Sequence, residues 1–163
     1  MQNPLWAPWR MEYVAAPKPE GCIFCMFPAE SGEAADRANL IAHRSPRSFT
    51  MLNRYPYNSG HVMVVPRTHQ ARLEDLGAED FADLQEELRR AVAVLRATYR
   101  PDGFNVGMNL GLVAGAGIPE HLHWHVVPRW GGDTNFMPVL GDLKVIVEHL
   151  DEAWGRIRAG FAS

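Results

Sequence analysis

The run His121-Leu122-His123-Trp124-His125-Val126-Val127 sets an imidazole at every second position, with apolar side chains between. In an extended chain, successive side chains point to opposite faces. A period of two therefore places the three rings on one side and Leu122, Trp124 and Val126 on the other. On a helix the same rings scatter over most of the circumference. The run is short, contains β-branched residues and a Trp, and meets Pro128, so a strand is predicted over 120–129. A domain built on this strand needs a sheet with an apolar side and a side that holds a row of polar rings.

The remaining periodicities supply such a sheet. Segments 39–43 and 48–53 read as strands, 54–60 as a turn, and 61–65 as a strand closed by Pro66. Segment 104–111 reads as a strand running into the glycine-rich stretch 111–117. A helix is predicted over 78–100, because Phe81, Leu84, Leu88, Val92, Leu95 and Tyr99 recur at i+3 and i+4 before Pro101-Asp102-Gly103. The acidic residues of "EDFADLQEE" (79–87) read as its solvated face. A second helix is predicted over 142–160 from Leu143, Ile146, Val147, Leu150, Trp154 and Ile157. Five strand segments, one long central helix and one C-terminal helix predict an α+β domain with a mainly antiparallel five-stranded sheet.

A chain of 163 residues suits one domain and can bury roughly 70% of its unfolded surface. Residues 1–20 carry Pro4, Pro8, Pro17 and Pro19 with Trp6, Trp9 and Tyr13 between them. They are expected to form an extended arm whose aromatics pack on this subunit or on a neighbour. The main domain is expected over 21–140, and 141–163 as a helix packed on it. A net charge of -3 argues against a nucleic-acid polymer as partner. No apolar stretch approaches the roughly 20 residues that span a bilayer, and the N-terminus has no signal-like apolar core. Two cysteines are too few for a disulfide scaffold. A soluble protein of the reducing cytoplasm is expected.

Cys22 and Cys25 form C-x-x-C, which offers two thiolates to one tetrahedral metal. A redox pair and a plain buried pair are the competing readings. His69, just past a strand in "PRTH", suits a third ligand, and an end member of the histidine row suits a fourth. Four protein ligands leave no open position, so such a zinc site is structural.

The histidine row has its own alternatives: an open three-histidine metal site with hydrolytic chemistry, simple packing, or nucleophilic catalysis. The last fits best. A neutral imidazole attacks phosphorus readily and leaves readily, and a neighbouring ring can orient it or stabilise charge. Gly111, Gly115 and Gly117 allow backbone N–H groups to approach an anion closely, and Asn109 adds a side-chain donor.

"HLHWHVV" resembles the His-φ-His-φ-His-φ-φ signature of the histidine triad (HIT) superfamily of nucleotide hydrolases and transferases. "NRYPYNSGHVMVVP" (53–66) resembles a segment of the fragile-histidine-triad dinucleoside polyphosphate hydrolases. "GCIFC" with "PRTH" is similar to the zinc-binding members. "LWAPWRMEY" and "HLHWHVVPRWGGDTNFMP" look like a bacterial branch that includes diadenosine tetraphosphate phosphorylases. Matching segments extend from about residue 5 to 140.

The resemblance implies a HIT-like fold and cleavage of dinucleoside polyphosphates at the α-phosphate, with water or phosphate as acceptor. It implies a nucleotidyl intermediate on His123, with His125 supporting it and touching phosphate oxygen. His121 joins Cys22, Cys25 and His69 as the fourth ligand of a structural zinc ion. Asn53 holds ribose hydroxyls, Asn109 and the backbone of Gly115 to Gly117 hold phosphate, and His61 lies beneath the row. At least a homodimer is implied. Phosphoramidate hydrolysis, nucleotidyl transfer within the superfamily, and a nucleotide-binding regulatory module with negligible turnover are the alternatives.

Two departures from the family pattern stand out. Gly117 and Ile118 stand where hydrolase and nucleotide-binding members usually carry Gln and then Ser or Thr. A side chain that assists the leaving group is therefore absent. Trp124 stands where many members have a smaller residue, and alternation points it away from the other rings, into the core. Arg54 and Arg129 read as solvated surface side chains, with distal phosphates as the alternative role.

Overall fold

The computed structural model describes residues 21–134, 146 and 148–163. The proline-rich arm and most of the segment before the last helix lie outside the described residues. Five strands, β1 (Ile41–Arg44), β2 (Ser48–Leu52), β3 (Val62–Pro66), β4 (Gly103–Met108) and β5 (Trp124–Arg129), form one sheet in the order β1-β2-β3-β5-β4. Every neighbouring pair is antiparallel. Among the described residues, four α-helices accompany them: α1 (Ile23–Met26), α2 (Glu33–Ala38), α3 (Ala78–Tyr99) and α4 (Leu150–Ala162).

Both long helices lie on one side of the sheet. Leu84, Ala91 and Leu95 of α3 pack with Ala153, Trp154, Ile157 and Phe161 of α4 on Leu52, Val62, Val64 and Val126. Burying a side chain such as Leu84 contributes about 1.5–3 kcal/mol. Glu79 and Asp80 in the first turn of α3 complement the positive end of its dipole. Arg100 stops the helix in the left-handed conformation, at φ 48°, ahead of Pro101. A Cβ on Gly160 would stand 2.7 Å from Val94 Cγ1 and 2.9 Å from Thr98 Oγ1, so glycine sets how closely α4 approaches α3. Trp154 Nε1 donates to the Ile41 carbonyl at 2.8 Å and anchors α4 on the first strand.

The other side carries a smaller cluster of Phe24, Ile41, Phe49, Met51, Met63 and Val65, capped by the short helix α1. Arg44 ties the segment after this cap to the sheet through Asp36 of α2, the Pro28 carbonyl at 2.8 Å and the Glu30 carbonyl at 2.6 Å.

Several sequence expectations need correction. The histidine strand begins at Trp124, so His121 and His123 precede the regular ladder. Leu122 N–H bonds the Gln70 carbonyl at 2.8 Å, which draws this stretch toward the loop after β3. The first strand starts at Ile41, because Leu40 turns with φ 60°. The last helix starts at Leu150, later than the apolar stripe predicts, with His149 as its extended N-cap. Phe81 is exposed, and Glu87 takes a core-facing place on α3 instead. The acidic segment is thus not a plain solvated face. Glu87, 1% exposed, accepts from Thr50 Oγ1 at 2.5 Å and contacts His43 Nδ1 at 2.8 Å. Asp83 accepts from Ser48 Oγ at 2.6 Å.

Candidate active site and metal centre

Two chain reversals build the metal cluster. In the first, the N–H groups of Cys25 and Met26 both bond the Cys22 carbonyl at 3.0 Å, folding the C-x-x-C into a knuckle. In the second, the turn after β3 swings His69 beside the stretch that holds His121. One ligand atom from each of Cys22, Cys25, His69 and His121 then lies within 4.8 Å of the other three. Sγ of Cys22 is 3.3 Å from His121 Nδ1, Sγ of Cys25 is 3.3 Å from His69 Nδ1, and Sγ of Cys25 is 3.6 Å from His121 Nδ1.

Zinc bonds of about 2.3 Å to sulfur and about 2.0–2.1 Å to nitrogen place tetrahedral ligand atoms roughly 3.3–3.8 Å apart. The donor set suits that ion, and these three separations fall in its range. His121 is prepared for it: its Nε2–H donates to the Pro66 carbonyl at 2.8 Å, which leaves the Nδ1 lone pair facing the thiols. Burial and the adjacent Cys22 push the Cys25 thiol up, a crowding that a divalent cation relieves.

The same logic assigns protons in the other rings. His123 Nδ1–H donates to the His121 carbonyl at 2.9 Å, so its Nε2 carries the lone pair. The Tyr57 amide donates to His61 Nδ1 at 3.0 Å, so the His61 proton sits on Nε2 and points at His125 Nδ1, 3.0 Å away. His125 in turn presents Nε2–H as a donor. Each orientation is fixed by a backbone group, directly or through one ring. Burial lowers the pKa of His121, His123 and His125, the last to about 4 with help from His123. The backbone bond of His123 opposes its shift. Each shift favours the neutral ring, the form an attacking nitrogen requires.

The rings of His123 and His125 meet edge to face at 4.9 Å between centroids. On the sheet His125 lies between Met63 and Gly107, and a Cβ on Gly107 would meet nothing within 4 Å. Open space thus adjoins His125 on this side. Trp124 joins the cluster beneath the long helices and points away from the other rings.

Asn53 Oδ1 accepts the Tyr55 N–H at 2.9 Å, in the turn that leads to His61. Asn109 follows β4 and its Nδ2 is 3.8 Å from where a Cβ on Gly115 would stand, so the two are neighbours. Gly115 has φ 90°, a conformation that favours glycine, and Gly117 is exposed in the same loop. Arg129 pairs with Asp133 through both Nε at 2.6 Å and Nη2 at 2.9 Å. Arg54 Nη2 reaches the Ala38 carbonyl at 3.2 Å. Sequence reasoning missed Phe24, Tyr57 and the Pro66 carbonyl. The ring between two cysteines signals Phe24; a main-chain donor or acceptor leaves no signal.

The stretch that carries this sheet and its three histidines matches the HIT domain family, whose profile covers residues 36–132. The chain belongs to that family. It is similar to the AP-4-A phosphorylase of Mycobacterium tuberculosis, 44% identical over 151 residues that cover 90% of this chain and 77% of that protein. The asymmetrical bis(5'-nucleosyl)-tetraphosphatase of Schizosaccharomyces pombe is 30% identical over 115 residues, covering 71% of this chain and 58% of that one. A zinc-bound histidine triad family protein from Mycobacterium smegmatis superposes with a TM-score of 0.68 at 26% identity, covering 87% of this chain and 94% of the other. Among the described residues, no helix is long and apolar enough to cross a membrane.

Proposed function

We propose that the chain is a dinucleoside polyphosphate phosphorylase that works through a nucleotide carried on His123. The observation that supports it most is the backbone bond to His123 Nδ1, which leaves Nε2 as the attacking atom. In the first step Nε2 attacks the α-phosphorus of diadenosine tetraphosphate. A P–N bond forms, the α–β P–O bond breaks, and ATP leaves. In the second step an oxygen of inorganic phosphate attacks the same phosphorus, the P–N bond breaks, and ADP leaves. His125 Nε2–H steadies the phosphate oxygens in both steps, and His61 holds His125 in the donating tautomer. Asn53 meets ribose hydroxyls, while Asn109 and the backbone from Gly115 to Gly117 meet phosphate. The open space beside Gly107 gives the phosphates room.

Gly117 and Ile118 favour phosphate as the acceptor. They leave no side chain to assist the leaving group, which separates this chain from the hydrolase pattern. Likeness to the mycobacterial AP-4-A phosphorylase supports the same choice. Cys22, Cys25, His69 and His121 hold a zinc ion whose role is structural: it clamps the knuckle and supplies no open position. Free thiols committed to a metal suit a reducing compartment, and we assign the protein to the cytoplasm. Exposed Val106 on the edge strand β4, with exposed Leu110, Leu112 and Val113 beyond it, favours pairing of two copies along that edge.

The test is turnover of diadenosine tetraphosphate with and without phosphate. ADP and ATP are expected, and only when phosphate is present. AMP and ATP in phosphate-free buffer would make the protein a hydrolase, and no turnover would make it a binding module. Metal analysis of protein purified without added zinc should find one zinc per chain.

A further inference from the structure

Phe24 lies between the two cysteines of the knuckle and is 1% exposed. Its ring meets the edge of His121 at 5.4 Å between centroids and leans on His123 at 5.0 Å. We propose that Phe24 is a positioning residue: it wedges His123 against His125 and so links the aim of the nucleophile to the metal-ligand cluster. The inference rests on His123 being the nucleophile.

The need for such a wedge follows from how His123 is held. Its Nδ1 makes one bond to a backbone carbonyl. A single anchor of that kind fixes which nitrogen carries the proton but leaves the ring free to tilt about it. In-line attack tolerates misalignment of only about 10–20°. Walls against the ring limit the tilt. His125 provides one, edge to face at 4.9 Å, and Phe24 a second, tilted at 5.0 Å. Phe24 is itself fixed, packed with Ile41, Phe49, Met51, Met63 and Val65 and carried on a turn closed by the Cys22 carbonyl. A metal that clamps Cys22 and Cys25 therefore also clamps the wall. This gives a reason for a closed metal centre beside a reaction in which the metal takes no part.

The test is Phe24→Leu in the full chain, with Phe24→Met as a second variant should the first not fold. Each keeps apolar volume and loses the flat ring. Expected are a fall in kcat of about tenfold, KM within twofold of wild type, and one zinc per chain by native mass spectrometry. Imidazole nitrogen NMR should show His123 as the Nδ1–H tautomer in both proteins, with sharp signals in the wild type and signals broadened by ring motion in the variant. Wild-type kcat in a variant whose nucleotide still traps on His123 would overturn the proposal. So would a loss of kcat that appears only together with loss of metal, because Phe24 would then serve the knuckle alone. A wild-type intermediate trapped on another residue would instead overturn the functional reading, and this inference with it.

Discussion

The two sides of the sheet are covered in contrasting ways. On one side, the 22-residue α3 and the 13-residue α4 lie over a continuous apolar cluster. On the other, the four-residue α1 caps a six-member cluster, and buried His61, His121 and His123 take up the remaining ground. Apolar contact stabilises the first side and is non-directional. The second is ordered by single hydrogen bonds to backbone groups, which are directional and individually weak. The contrast separates two duties: one side keeps the chain folded, and the other keeps nitrogen lone pairs aimed.

Substitutions on opposite sides should break activity and stability independently. The largest effect is expected for His123→Ala: turnover should fall by about 10⁴-fold or more, with nucleotide binding retained and the melting temperature little changed. Comparing steady-state rates with a binding isotherm and a thermal melt checks this. Next comes Leu84→Ala, which should cost about 2–5 kcal/mol of stability in urea titrations and leave kcat per folded molecule intact. A smaller loss of about 1–3 kcal/mol is expected for Glu87→Ala, which strips Thr50 and His43 of a buried acceptor. Activity of the folded fraction should again be unaffected.

The smallest effect is one of pH. The folded His125 pKa is about 4, against 6.5 for a free imidazole. Between those values the unfolded chain takes up a proton that folded His125 refuses, so stability falls as pH drops through 6.5 toward 4 and this contribution levels off below. Neighbouring His123 is shifted the same way and adds its own slope. His125→Asn should therefore flatten the stability-versus-pH curve in that window without abolishing its slope. A variant curve as steep as wild type would show that His125 is not the buried group responsible.

Much of the architecture was legible from residue pattern. All five strand segments and the central helix stand within a few residues of their expected places, because apolar periodicity reports which way side chains face. It does not report who pairs with whom. Alternation from His121 to Val127 persists, yet the ladder begins only at Trp124, since Leu122 bonds to Gln70 in the loop after β3. An apolar stripe on α3 pointed to Phe81 and passed over Glu87, whose burial depends on Thr50 and His43 from strands far along the chain. Cysteine and histidine spacing picked out Cys22, Cys25 and His69 and left the fourth as an end member of the row, which the family resemblance named as His121; these four come together, whereas the assignment of protons among the rings depends on carbonyls and amides that every residue possesses.

The contact between the Tyr57 amide and His61 illustrates what that means for variation. The group that decides the proton's address on two successive imidazoles belongs to the main chain, and almost any side chain at position 57 would deliver it. Proline alone removes it. The amide at position 57 thus works whatever side chain it carries, proline excepted, while the Tyr57 ring adds a separate contact, stacked on His61 at 4.9 Å between centroids, that a small residue would lose.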